Sequence, residues 1–95
     1  MTFRELIKGM PIYTVINNPE HTQHKKVYKW HIDQIFSRYP GVTEFVCIAP
    51  ELFDSKVSIH ISVVYTHMDN RSLINGYYNC FTSYEDAENF TKTIL

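Results

Sequence analysis

The stretch Val27 to Phe36, V-Y-K-W-H-I-D-Q-I-F, constrains the fold most, because it carries the only tryptophan and satisfies two periods at once. As a strand it sets Tyr28, Trp30 and Ile32 on one face and Val27, Lys29, His31 and Asp33 on the other, the alternation of a half-buried strand. As a helix it places Tyr28, Ile32, Ile35, Phe36 and Tyr39 on one stripe, with Asn18 as N-cap, Pro19 in the first turn and Pro40-Gly41 as the stop. The helix would leave Trp30 on the polar side beside Lys26, Lys29 and Asp33, and the stretch is dominated by β-branched and aromatic residues, so the strand is preferred. The alternation changes phase near Asp33-Gln34, which predicts a bulge or bend there and makes Pro40-Gly41 the turn of a hairpin.

The remaining elements follow from similar patterns. Thr2-Phe3-Arg4-Glu5 has capping-box spacing for a short helical turn using Phe3, Leu6 and Ile7, stopped by Gly9. Pro11 to Ile16 alternates as a first strand, with Tyr13 and Val15 opposed to Ile12, Thr14 and Ile16, and Asn17-Asn18-Pro19-Glu20 is turn chemistry. Thr43 to Ala49 is apolar on both faces through Phe45, Val46, Cys47 and Ile48, so it should be central or covered by a helix. A turn over Pro50 to Ser55 leads to Lys56 to His67, a strand with Val57, Ile59, Ile61, Val63 and Tyr65 inward and Ser58, His60 and Ser62 outward. Met68 to Gly76 reads as a loop and Tyr77 to Phe81 as a fifth strand. Ser83 then caps a helix that docks through Tyr84, Ala87, Phe90, Thr91 and Ile94.

These elements make one domain over residues 1–95, mostly β with a C-terminal helix. The alternative is an α+β arrangement with a helix at 19–39, a three-stranded antiparallel sheet and the terminal helix. A 95-residue chain has room for one core and little for an enclosed active site. Its net charge of -1 speaks against binding polyanions by charge alone, although residues 1–31 sum to +3 and residues 32–95 to -4. Cys47 and Cys80 lack any C-x-x-C spacing and read as buried, reduced thiols of a cytoplasmic protein. The first residues show no secretory signal, and no run is long and apolar enough for a membrane span.

The segments L-I-K-G-M-P-I-Y-T-V at Leu6 to Val15 and C-F-T-S-Y-E-D-A-E-N-F at Cys80 to Phe90 together resemble the small SH3-like barrel proteins of phages and mobile elements. The resemblance covers about a quarter of the chain. It implies a five-stranded, partly open SH3-like barrel with a terminal helix, and transfers no site residues. The helical reading of 19–39 gives an element order similar to a double-stranded RNA-binding domain, but Glu85 and Asp86 stand where that family carries the basic pair that meets phosphate.

Catalytic groupings are missing from the sequence. No nucleophile elbow or glycine-rich phosphate loop occurs, the Glu85-Asp86-Glu88 cluster is explained by helix capping, and both cysteines lie in apolar strands. His21 and His24 are closely spaced but lack a third ligand, and His31, His60 and His67 are scattered, so no metal or other cofactor is expected. The expected function is a non-enzymatic protein-binding module, an accessory protein of a phage or mobile element that occludes a host factor, with Arg71, Tyr77 and Tyr78 as candidate contacts. A second reading is a nucleic-acid-binding domain that uses Lys25, Lys26, Lys29 and Trp30 for phosphate attraction and base stacking. A third is a structural subunit of a phage particle or other assembly, which implies a homo-oligomer.

Overall fold

Val27 opens β2 (Val27–Tyr39), the longest strand among the described residues, in a computed structural model that describes residues 5–39, 42–51, 57–64, 71–74 and 78–94. The helical alternative for residues 19–39 is thereby overturned. Asn18 and Pro19, candidates for a helix start, instead shape a turn in which Asn18 Oδ1 accepts the Glu20 backbone N–H at 3.2 Å. The strand wins because it buries the indole: Trp30 is 5% exposed, and its Nε1–H donates to the Thr14 hydroxyl at 2.9 Å. A helix with the same residues would have left that ring among lysines.

β1 (Pro11–Ile16) pairs antiparallel with β2, Ile12 opposite Trp30 and Thr14 opposite Tyr28, so their apolar alternation coincides. Gly9 adopts φ +92, the left-handed region open to glycine. There it turns the preceding segment onto β2, its N–H donating to Ile32 O at 2.8 Å while Ile32 N–H donates to Met10 O at 2.9 Å. Leu6 consequently enters the core, whereas Ile7 stays exposed; residues 1–4 lie outside the described part.

On its other edge β2 pairs with β3 (Val42–Ile48), and the pairing shifts register between Ile32 and Gln34, at the expected bulge. The inserted residue, Asp33, lets both Ile32 and Ile35 share the face of Cys47 and Phe45, which strict alternation would not allow. The pairing runs to Tyr39 opposite Val42, as a hairpin requires; Pro40 and Gly41 are outside the described residues. β4 (Ser58–Val64) pairs with β3, Phe45 opposite Ile61.

Four residues within the expected loop Met68 to Gly76 form a further strand, β5 (Arg71–Ile74), which pairs with β6 (Tyr78–Phe81). This corrects the loop assignment: turn-prone residues surround a short R-S-L-I segment that gains its stability from the ladder with β6 and not from its own pattern. The sheet order is β4-β3-β2-β1-β6-β5, antiparallel throughout, and it curls into a half-barrel whose edge strands β4 and β5 approach each other. The protein is thus mostly β with one C-terminal helix.

The concave face holds the main core, with Ile12, Trp30, Ile32, Phe45, Cys47, Ile61 and Cys80 at its centre. Among the described residues, the convex face is covered only in part. Helix α1 (Tyr84–Thr91) starts at Ser83, whose Oγ accepts the Asp86 N–H at 3.1 Å. It sets Ala87 against Val15 and Phe81, with Phe90 against Phe81 at a ring separation of 5.2 Å and Ile94 alongside. Tyr84, expected in this docking face, remains exposed and offers its ring edge-on to Tyr13 at 5.8 Å.

Candidate protein-binding face

β3 is central, as its two apolar faces require, but the helix does not cover it. Helix α1 packs on β1, β6 and the start of β2 through Val15, Val27 and Phe81. The convex side of β2, β3 and β4 carries no packed element among the described residues. Its register forms three cross-strand rows: His31 opposite Ile48 opposite Ser58, then Gln34 opposite Val46 opposite His60, then Phe36 opposite Glu44. Val46 and Ile48 are half-buried in the middle, Phe36 is 38% exposed, and Gln34, Ser58 and His60 are exposed around them.

Two imidazole–carboxylate pairs flank this apolar centre. His31 Nε2 lies 2.9 Å from Glu51 Oε1, where the turn after β3 returns over the strand. His60 Nδ1 lies 3.2 Å from Glu44 Oε1, and the Glu44 side chain is only 15% exposed. The Glu51 carboxyl is held below its ordinary value first by a hydrogen bond from its own backbone N–H, then by His31, with Lys29 adding attraction. The surface therefore has an apolar middle and a hydrogen-bonding margin.

The residues singled out from the sequence fall elsewhere. Arg71 pairs with Phe81 at the start of β5, and Tyr78 stands between Ile16 and Ile74 on β6, so both belong to the β5–β6 side of the sheet; Tyr77 is outside the described residues. Lys25 and Lys26 lie exposed in the β1–β2 connection and Lys29 is exposed on β2, with Lys26 Nζ 5.3 Å from the Tyr28 ring centre. Trp30 does not join them: it faces the concave core, and its N–H is engaged by Thr14, so it offers no stacking platform. The convex face itself was signalled in the sequence only by the double apolarity of Phe45 to Ile48. Where the one helix would lie was not.

The histidines do not gather. His21 and His24 each use Nδ1 to accept a backbone N–H, from Gln23 at 2.9 Å and from Asn18 at 3.0 Å. A neutral ring accepting at Nδ1 carries its proton at Nε2, which blocks metal ligation there. Among the described residues no group of three or more His, Cys, Asp and Glu is placed to hold a metal ion. His67 lies outside those residues.

Cys47 and Cys80 are free and buried in the concave core. Burial pushes the Cys47 thiol from 9.0 up to about 12, with Asp33 adding repulsion, and burial followed by Cys47 itself raises Cys80 well above 9.0. Both are therefore neutral apolar groups near pH 7, without the thiolate that nucleophilic chemistry needs. Because the folded values are raised, the stability linked to them is fully present below pH 9 and falls as pH rises above it, toward about 12 for Cys47. In native buffer both thiols should resist a maleimide reagent and react together in denaturant. Fast labelling of either in the native protein would contradict their burial.

No known protein family, curated protein or solved structure matches the chain.

Proposed function

We propose that the protein is a non-enzymatic binding module whose partner is another protein, held on the convex face of β2, β3 and β4. One observation supports this reading above the others. The central strand β3 is apolar on both sides, and the helix that would cover its convex side packs elsewhere, leaving Val46, Ile48 and Phe36 part-exposed between two polar margins. Three strands spaced about 4.8 Å apart and seven residues long present roughly 350 Å², less than half the ~800 Å² per partner of a standard interface. The partner must therefore also reach the flanks, where His31 with Glu51 and His60 with Glu44 offer hydrogen bonds. An accessory protein of a phage or mobile element that occludes a host factor is the biological setting this reading fits.

Phe36→Asp tests the face without disturbing the core. In affinity capture from bacterial lysate, with nuclease present, the wild-type chain is expected to retain a partner and Phe36→Asp to lose it by tenfold or more, the order of a central contact worth over 1 kcal/mol. Retention by Phe36→Asp with loss in an Arg71→Ala, Tyr78→Ala double variant would move the interface to the β5–β6 side. Loss of the captured bands on nuclease digestion, together with loss in a Lys25→Glu, Lys26→Glu variant, would instead favour nucleic-acid binding through the basic loop.

A further inference from the structure

The connection between β1 and β2, residues 17–26, has no apolar anchor of its own, yet it is closely folded. Its base is tied by Lys25 N–H to Ile16 O at 2.7 Å and Ile16 N–H to Lys26 O at 3.2 Å, and Lys25 is held at φ +71, a conformation that costs a non-glycine residue. Within it, His21 N–H donates to Asn18 O, His24 N–H to His21 O and Lys26 N–H to Gln23 O. Two further bonds have imidazole acceptors: Asn18 N–H to His24 Nδ1, which spans the loop, and Gln23 N–H to His21 Nδ1. Both acceptors exist only while the rings are neutral, because an imidazolium has a donor at each nitrogen. Protonation would turn each bond into two donors facing one another.

We infer that the β1–β2 loop is a pH-operated element that is closed while His21 and His24 are neutral and opens when they take up protons. Charge acts in the same direction. Lys25 and Lys26 against Glu20 give the loop a net charge of +1, and two imidazolium rings raise it to +3. Along β2 the next ionisable groups are Tyr28 and Lys29, while β1 on the other side carries Tyr13 alone. Beyond β1, β6 places Tyr78 opposite Ile16, and the helix carries Glu85, Asp86, Glu88 and Lys92. Within the loop itself Glu20 is the one carboxylate to set against the added charge. Histidine is the side chain whose charge responds to mild acidification, so pH is the variable that probes this loop.

Nitrogen-15 NMR on the full chain tests this directly. At pH 7.5 the ring nitrogens of His21 and His24 are expected to report the Nε2–H tautomer. Between pH 7.5 and 5.5 the Asn18 amide should lose protection from hydrogen exchange on the order of tenfold, after correction for intrinsic rates, while core amides such as Phe45 stay protected. In His24→Asn the side-chain oxygen takes the place of Nδ1 without titrating, so the Asn18 amide should keep its protection at pH 5.5. The Nδ1–H tautomer at either ring, unchanged Asn18 protection at pH 5.5, or equal loss in His24→Asn would each overturn the inference.

Discussion

Trp30→Ala is expected to remove about 3–5 kcal/mol of stability, the cost of emptying a large buried aromatic site. The ring is 5% exposed among Ile12, Ile32, Phe45 and Cys80, so neighbouring strands cannot collapse fully into the gap. The Thr14 hydroxyl also loses the indole N–H that it accepts. Since small domains hold only about 5–15 kcal/mol in all, the variant should be partly unfolded near 37 °C. Urea titration followed by far-UV circular dichroism measures the loss. Trp30→Phe separates the two contributions: it keeps most of the ring and forfeits the hydrogen bond, for about 1–2 kcal/mol. A Trp30→Ala midpoint within experimental error of wild type would place the indole outside the core.

The second large effect lies on the other face of the sheet. Ala87 is fully buried where α1 meets Val15 and Phe81. Ala87→Asp would need to bury a carboxylate without a partner, at about 3 kcal/mol or more, and undocking the helix is the cheaper outcome. Helical ellipticity should fall while Trp30, on the concave face, keeps its blue-shifted emission to higher urea. An Ala87→Asp variant with wild-type ellipticity and midpoint would show that the helix does not depend on this contact.

Most of the architecture could be read from the residues because one physical rule governs it. Period-two alternation located β1, β2 and β4, the phase change at Asp33 located the bulge, and Ser83 located the start of the helix. β5 could not be read this way, since four residues paired only at one edge carry too little pattern to outweigh their turn-prone neighbours. The candidate face was half legible. The apolar outer residues of β3 were visible, but their exposure depends on the helix choosing Val15 and Phe81 as its seat. That is a tertiary choice, settled by which convex patch accepts Ala87 and Phe90. Trp30 shows the same limit in reverse: proximity to Lys25, Lys26 and Lys29 in sequence suggested a shared surface, and strand alternation sent the indole to the opposite side.

The pairing of β1 with β6 is the long-range closure of the sheet. β1 to β4 join neighbours in sequence, as a meander built from short loop closures, whereas Tyr13 meets Phe81 across most of the chain's length. Closing so long a loop is entropically costly and is repaid only when β6 and the helix arrive together. On a ribosome, that cannot happen before β6 has been made. Without β6, β1 has one open edge and Val15 lies uncovered, so a strand that is interior in the finished sheet would be a border.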